Sequence, residues 1–301
     1  MNQQNSSRLV KIITLLVCTS GVAWFSFSLL SKYQQIQQFK QADNLLSKEE
    51  YDLAITAYDR LLAANVDRGH LIWINRGYAF LGLNQYQQML QSCSTATLIE
   101  PDAALAWNCQ GKALYYLGQH QKALEAFKQA ITRNSKEATF WLNKARVLSE
   151  LQEYKKAIAD SEQAIKLIKQ SNVKDKSMSN SLAIALNQKG QNLLKIEQYR
   201  KSLAAFEQSL KNSPDYLSAQ QGKGIALYEL GKYDQAISIF AEILQRKNLT
   251  KEQKAMSLLY KGVSLCQTKK NIAAEQAFQK VLALTTDSQG QKIAQKGCGI
   301  Q

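Results

Sequence analysis

The sequence predicts an all-α solenoid of stacked helix-turn-helix repeats behind an N-terminal transmembrane helix. Three observations predict it. Trp73, Trp107 and Trp141 recur every 34 residues, and a fixed period of this length indicates a repeat architecture. Proline occurs only twice in 301 residues, which favours long uninterrupted helices. An uncharged apolar run occupies residues 12–30.

The N-terminal segment consists of a short polar tail, residues 1–11, and the apolar run 12–30. As a helix the run is roughly 28 Å long, close to the ~30 Å hydrocarbon core of a bilayer. We expect an uncleaved signal-anchor helix, because the run exceeds the usual ~7–15-residue core of a signal peptide. A cleaved signal peptide and a lipoprotein signal ending at Cys18 are the alternatives. Arg8 and Lys11 precede the run, which favours a single-pass membrane protein with its repeats on the non-cytoplasmic side.

Repeats follow the anchor after a short linker, residues 31–34, and extend over residues 35–288. Each repeat combines two amphipathic helices, called here the first and the second helix. One repeat cannot bury its apolar face alone, so neighbouring repeats must stack. The predicted repeats are 35–68, 70–103, 104–137, 138–171, 183–216, 217–250 and 255–288, and residues 289–301 form a C-terminal tail.

Small and aromatic residues mark fixed places within each repeat. In residues 70–103 these places hold Trp73, Gly77, Tyr86, Ala96 and Pro101. The pattern resembles the tetratricopeptide repeat (TPR) family, and the phrasing is similar to bacterial membrane-anchored members. The resemblance implies a TPR-type α-solenoid, a right-handed superhelix whose glycine lets the two helices of a repeat approach closely. It also implies a scaffold or assembly factor for other proteins in a bacterial plasma or internal membrane.

Charge and cysteine content give weaker indications. The 38 basic and 24 acidic residues leave a net charge of +14. Such a surface suits acidic protein segments, anionic lipid or nucleic acid and does not choose among them. The five cysteines form no CxxC pair, so we expect no metal site, and their odd number argues against a disulfide scaffold.

No constellation of titratable residues predicts catalysis, so we expect no enzyme, no catalytic residue, no metal and no cofactor. Only two histidines occur, and His120 stands at a place where other repeats carry tyrosine. Lys223 between two glycines is similar to part of a phosphate-binding loop, but it lacks the preceding strand and the following Ser or Thr.

The family resemblance implies that a partner binds the concave face, which is lined mainly by first helices. Polar side chains at one repeat spacing there can hydrogen-bond an extended backbone, and tyrosines suit interfaces. We expect an extended or helical protein segment, acidic by complementarity to the net charge, and no specific nucleic acid; the oligomeric state is left open. The alternatives are a basic solenoid that binds anionic lipid or nucleic acid, and an inner face that is merely solvated. The candidate groove residues are Asn75, Tyr78, Asn108, Lys112, Tyr115, Tyr116, Asn143, Arg146, Asn187, Gln188, Gln191 and Tyr228.

A second periodic feature is a row of mostly cationic residues, each directly before the packing position of a first helix. The row has two interpretations: an anion-binding stripe, or long side chains that cover apolar surface and extend their charge into water. Its members are Arg76, Gln110, Lys144, Lys189, Lys223 and Lys261.

Overall fold

The computed structural model describes residues 20–64, 69–171, 176–284 and 288–299. The described residues form fifteen α-helices and a C-terminal 3₁₀ turn, Gly297–Gly299, with no strand among them. The helices are α1 Ser20–Ser47, α2 Tyr51–Ala63, α3 Gly69–Gly82, α4 Tyr86–Ile99, α5 Ala104–Tyr116, α6 His120–Arg133, α7 Ala138–Glu150, α8 Tyr154–Gln170, α9 Lys176–Lys195, α10 Tyr199–Asn212, α11 Leu217–Glu229, α12 Tyr233–Leu244, α13 Lys251–Gln267, α14 Asn271–Leu284 and α15 Ser288–Lys296.

The chain divides into two compact units, Met1–Arg133 and Asn134–Gln301. Within each unit every helix packs against the next one along the chain, and first helices also contact the first helix of the neighbouring repeat. This nearest-neighbour packing, without contacts between distant repeats, is the arrangement of an α-solenoid.

Each repeat has a packing position in its first helix, and in four repeats a glycine at this position meets a phenylalanine of the second helix. A Cβ added at Gly111 would lie 2.7 Å from the ring of Phe127, and one added at Gly190 would lie 2.7 Å from the ring of Phe206. The glycine is therefore required for close approach. In the fourth repeat Ala145 replaces the glycine, and the small, fully buried Ser161 stands where those four repeats carry Phe. The extra methyl group of Ala145 on the first helix is thus accommodated by the smaller Ser161 on the second helix, so the two helices remain closely packed.

The turn between the two helices has the same backbone in all seven predicted repeats. The fifteenth residue of each predicted repeat lies in this turn and has a positive φ of 58–73°. Glycine, which adopts this conformation without strain, stands there in only two repeats. A left-handed residue after a helix lets the turn's N–H groups reach the last carbonyls. The turn residues are Glu49, Asn84, Gly118, Gln152, Glu197, Gly231 and Lys269.

The recurring tryptophan place, the fourth of a repeat, has a hydrogen-bonding role besides packing. The indole nitrogen of Trp107 donates to the carbonyl of Pro101 at 2.8 Å, and that of Trp141 donates to the carbonyl of Ser135 at 2.9 Å. Gln220 occupies the same place in its repeat and donates to the carbonyl of Pro214 at 2.9 Å. In these three repeats the side chain at this place therefore fixes the loop that precedes the first helix.

The N-terminal prediction meets the structure only in part. Residues 12–19 of the predicted transmembrane segment and the polar tail 1–11 lie outside the described residues. No helix in the described part of the chain has both the length and the apolar composition of a membrane span. The predicted linker 31–34 lies inside α1, which continues into the first repeat. At the other end, residues 289–296 of the predicted tail belong to α15.

The expectation that the cysteines form no disulfide framework is wrong. Cys93 bonds to Cys109, and Cys266 bonds to Cys298. Cys93 belongs to the second helix of one repeat and Cys109 to the first helix of the next, which stacking places side by side. The odd count misled because it included Cys18, which lies outside the described residues.

The two disulfides lie in different parts of the repeat array. The Cys93–Cys109 bond links consecutive repeats across a Cα–Cα distance of 5.5 Å. Gly77 faces it, since an added Cβ would lie 2.9 Å and 3.0 Å from the two sulfur atoms. The Cys266–Cys298 bond ties the C-terminal 3₁₀ turn to α13. Each bond restricts the unfolded chain.

Candidate partner-binding groove

A cavity of about 740 Å³ lies along the first helices of the second unit. We call it the groove cavity. Its lining comes from the C-terminal ends of α7 and α9, the length of α11, the middle of α13, two of the inter-helix turns, and the first residues of α8 and α10. Residues that define it are Glu150, Gln191, Lys195, Gln221, Glu229 and Tyr260.

The charges of the groove cavity differ from those of the chain as a whole. Its lining carries three carboxylates, Glu150, Glu197 and Glu229, and one ammonium, Lys195. The net charge of the chain, in contrast, is +14. Loss of water raises the pKa of Glu229, and the neighbouring charge of Glu197 raises it further. Two of the carboxylates therefore lie close enough to repel each other in a partly desolvated site.

Tyrosines form the aromatic part of the lining. Tyr154, Tyr199 and Tyr260 face the groove cavity. The ring of Tyr260 stacks on the buried Phe240, with centroids 5.8 Å apart, and meets the edge of Tyr228 at 5.9 Å. Burial raises the pKa of Tyr260, with a further contribution from Glu229. The ring of Tyr260 is held by packing, so it presents a preformed surface.

Carboxamides and hydroxyls fix the first helices to one another beneath this surface. Gln221 donates to the carbonyl of Gln253 at 3.0 Å and to the Oγ of Ser257 at 3.1 Å. The Oγ of Ser149 donates to Asn192 at 2.7 Å. Because these bonds join neighbouring repeats, they position the lining without a ligand.

In the first unit, four of the predicted groove residues pair with other side chains. Asn75 donates to Asp43 at 2.9 Å, and that carboxylate also accepts from the hydroxyl of Tyr58 at 2.6 Å. Asn108 is only 3% exposed and donates to the hydroxyl of Tyr78 at 3.2 Å. The ammonium of Lys112 lies over the Tyr78 ring, 4.8 Å from its centroid.

Tyr115 and Tyr116, the other candidates of this unit, belong to an aromatic group at the end of α5. Tyr116 stacks on Tyr86 with centroids 4.9 Å apart, and Tyr115 meets the edge of Tyr116 at 5.3 Å. Tyr116 is 41% exposed. Its ring is therefore held by packing and still accessible.

In the second unit, the candidates separate into buried and accessible residues. Asn187 and Gln188 are both buried; Asn187 donates to the Oγ of Ser218 at 3.3 Å and Gln188 to the carbonyl of Leu142 at 3.2 Å. Gln191 is exposed and lines the groove cavity.

The three remaining candidates of this unit do not line the groove cavity. Asn143 is half-buried and Arg146 is exposed. Tyr228 packs between Tyr233 and Tyr260.

Sequence reasoning missed most of the residues that line the groove cavity. Glu150, Lys195 and Glu229 all stand at the thirteenth place of their repeats. Of the predicted groove residues only Tyr116 stands at that place, and the recurrence of charged residues there is the sequence signal that indicates this part of the lining.

The cationic row is neutralised by neighbouring second helices. Arg76 pairs with Asp59 at 2.7 Å, and Lys189 pairs with Glu162 at 2.8 Å. Lys144 reaches Asp160 at 3.1 Å, where burial raises the pKa of Asp160 although Lys144 opposes that rise. Lys223 lies 3.6 Å from Glu207. Four of the six positions are thus structural ion pairs, which does not favour an anion-binding stripe.

His120 and Lys223, the two residues with a candidate chemical role, make structural contacts. Among the described residues no group of three or more His, Cys, Asp or Glu side chains could hold a metal ion. His120 packs beside Tyr115, with ring centroids 5.7 Å apart. Lys223 stands within α11 and is used in its ion pair.

Comparison with known proteins agrees with this architecture. The sequence model of the tetratricopeptide repeat family matches residues 39–96, 110–172 and 187–249. A tetratricopeptide repeat protein from Parabacteroides merdae ATCC 43184 has a similar structure, with a TM-score of 0.60 at 14% identity over 87% of this chain and 97% of its own. No curated protein matches the sequence.

Two further solved structures are similar. PilW, a widely conserved type IV pilus biogenesis factor, has a TM-score of 0.64 at 20% identity, over 75% of this chain and 98% of its own. YrrB, a TPR protein described as having an unusual peptide-binding site, has a TM-score of 0.51 at 18% identity, over 69% of this chain and 99% of its own. At these identities the likeness concerns the fold.

Proposed function

Because the chain belongs to the tetratricopeptide repeat family, we propose that it is a protein-interaction scaffold that holds a segment of a partner protein in the groove cavity. The observation that carries the proposal is the cavity itself. It runs across four successive repeats and combines hydrogen-bonding, charged and aromatic side chains. Such a mixture suits a polypeptide segment, whose backbone needs donors and acceptors and whose side chains need pockets.

Preorganisation supports binding at this place. The lining side chains are fixed by bonds between neighbouring repeats, such as Gln221 to Gln253 and Ser149 to Asn192. A preformed surface loses little conformational entropy on binding, and this saves free energy. The peptide-binding site described for YrrB and the biogenesis role described for PilW make a scaffold in the assembly of a larger complex the natural refinement.

Photo-crosslinking tests the proposed binding site. A photoreactive amino acid at Gln191, which is exposed in the groove cavity, is expected to capture a discrete partner protein in cells. Gln235 is the matched control, because it is an exposed glutamine on the second helix α12 and does not line the groove cavity. Equal capture of the same protein from both positions would contradict the proposal.

We also propose that residues 12–30 anchor the chain in a membrane, with the repeats on the non-cytoplasmic side. Support comes from the nineteen uncharged residues of that run. The two disulfides give independent support for the non-cytoplasmic side, because disulfides persist in oxidising compartments and are rare in the cytosol.

Protease added to spheroplasts is expected to digest the repeats. A repeat domain that resists digestion until the plasma membrane is lysed would be inconsistent with this topology.

A further inference from the structure

The groove cavity leaves carboxylates unpaired in a protein with an excess of cations. Glu197 and Glu229 form no ion pair within the described residues. Three acidic residues on second helices of the same unit, Asp160, Glu162 and Glu207, each pair with a lysine. The lining of the groove cavity, with three carboxylates and one ammonium, is therefore negative in a chain whose net charge is +14.

Both carboxylates line the groove cavity, and the charge of Glu197 acts on Glu229. The pKa of Glu229 is raised first by loss of water and then by the charge of Glu197. A cation placed between them would reduce both the repulsion and the desolvation cost. Lys195 is the single cation of the lining, and it forms no ion pair within the described residues.

A residue bonded to the lining has an unsatisfied hydrogen-bond acceptor. Asn187 is 5% exposed, and its amide nitrogen donates to the Oγ of Ser218, a lining residue. The side-chain oxygen of Asn187 is buried and has no hydrogen-bond partner in the described structure. The acceptors that a ligand in the groove cavity can meet are the carboxylates of the lining, and they favour a ligand rich in donors.

The aromatic lining suits the aliphatic part of a basic side chain. Tyr199 and Tyr260 face the groove cavity beside Glu229, and the ring of Tyr260 is fixed by its contacts with Phe240 and Tyr228. Lysine and arginine place their methylene groups along such rings and their cationic heads against carboxylates. Both heads carry donors and no acceptor, which matches the carboxylates of the lining.

We infer that the groove cavity selects partner segments that carry lysine or arginine, with a cationic head held between Glu197 and Glu229. The inference rests on the proposed function, since it names the chemistry of the segment that the groove holds. A basic partner segment thus replaces the acidic segment that the net charge of the chain predicts. A bound segment responds to the charges nearest to it, because salt screens interactions beyond about 8 Å at physiological ionic strength.

Peptide binding to the full-length chain in detergent tests the inference. The probes are labelled peptides of alternating lysine and serine, glutamine and serine, or glutamate and serine, with fluorescence anisotropy as the readout. The lysine peptide is expected to bind about tenfold more tightly than the glutamine peptide, a difference of about 1.4 kcal/mol. Glutamine or glutamate peptides that bind as tightly as the lysine peptide would overturn the inference.

Two double variants with the same change in charge show where the preference originates. Glu197→Gln with Glu229→Gln is expected to remove the preference for lysine. Glu242→Gln with Glu275→Gln, two exposed positions on second helices outside the groove cavity, is expected to change affinity less than twofold. Thermal melts check that both variants remain folded. Unchanged preference in the groove variant would overturn the inference.

The outcomes also separate this inference from the proposed function. Capture of a partner from Gln191, combined with no preference for lysine peptides, would overturn the charge inference and leave the groove function standing. No capture from Gln191, combined with no binding of any peptide, would overturn both. Competition by an unlabelled second copy of the chain, with no partner captured, would assign the groove to self-association and overturn the inference.

Discussion

Replacing Phe206 by alanine is expected to lower the free energy of unfolding of the second unit by about 3–5 kcal/mol, the usual cost of removing a buried phenylalanine. Phe206 is fully buried between two first helices. An added Cβ would lie 2.7 Å from its ring at Gly190 and 2.3 Å at Gly222. Both glycines already provide the space that the ring fills. The truncated side chain would therefore leave a cavity that the rigid helices cannot close.

Chemical denaturation of the full-length chain measures this cost. Ile272→Ala is the control, because Ile272 is 81% exposed on the same unit and its truncation is expected to change stability by about 0.5 kcal/mol or less. A loss of under about 1 kcal/mol for Phe206→Ala would show that the ring is not part of the core.

Removing the Cys93–Cys109 disulfide has the second-largest expected effect. The two residues are 16 positions apart in sequence, and closing a loop of about this length stabilises a protein by ~3 kcal/mol in the chain-entropy account. The double variant Cys93→Ser and Cys109→Ser is therefore expected to lose about 3 kcal/mol under oxidising conditions. Equilibrium denaturation with and without a reductant measures the loss.

Reduction provides the matched control for this variant. With a thiol reductant present, the difference between the native sequence and the Cys93→Ser, Cys109→Ser variant is expected to shrink to the effect of the two substitutions alone. Mass spectrometry of the unreduced protein checks the pairing itself. Free thiols at Cys93 and Cys109 in protein isolated without reductant would contradict the structure.

The repeat fold could be predicted from the sequence because its determinants are local and periodic. The spacing of Trp107 and Trp141 identifies the period, and Gly111 with Phe127 identifies the packing position. Each of these residues meets its partners within its own repeat or the next one. Short-range determinants of this kind leave a clear signal in a single sequence.

The candidate site could be predicted only in outline. The concave places were identified, but which side chains remain accessible depends on partners about thirty positions away. Asn75 is engaged by Asp43, and Asn187 by Ser218, and neither pairing has a periodic signature. The disulfides were missed for the same reason, since Cys93 and Cys109 become neighbours only when repeats stack.

A photo-crosslinking scan along the second unit tests the central claim most directly. The photoreactive residue would be placed in turn at Gln191, Ser218 and Met256 on the first helices, and at Gln235 and Gln279 on the second helices. Capture of one partner protein from the first-helix positions, with little or none from the second-helix positions, is the predicted result. Capture mainly from Gln235 and Gln279 would place the partner on the opposite surface and would contradict binding in the groove.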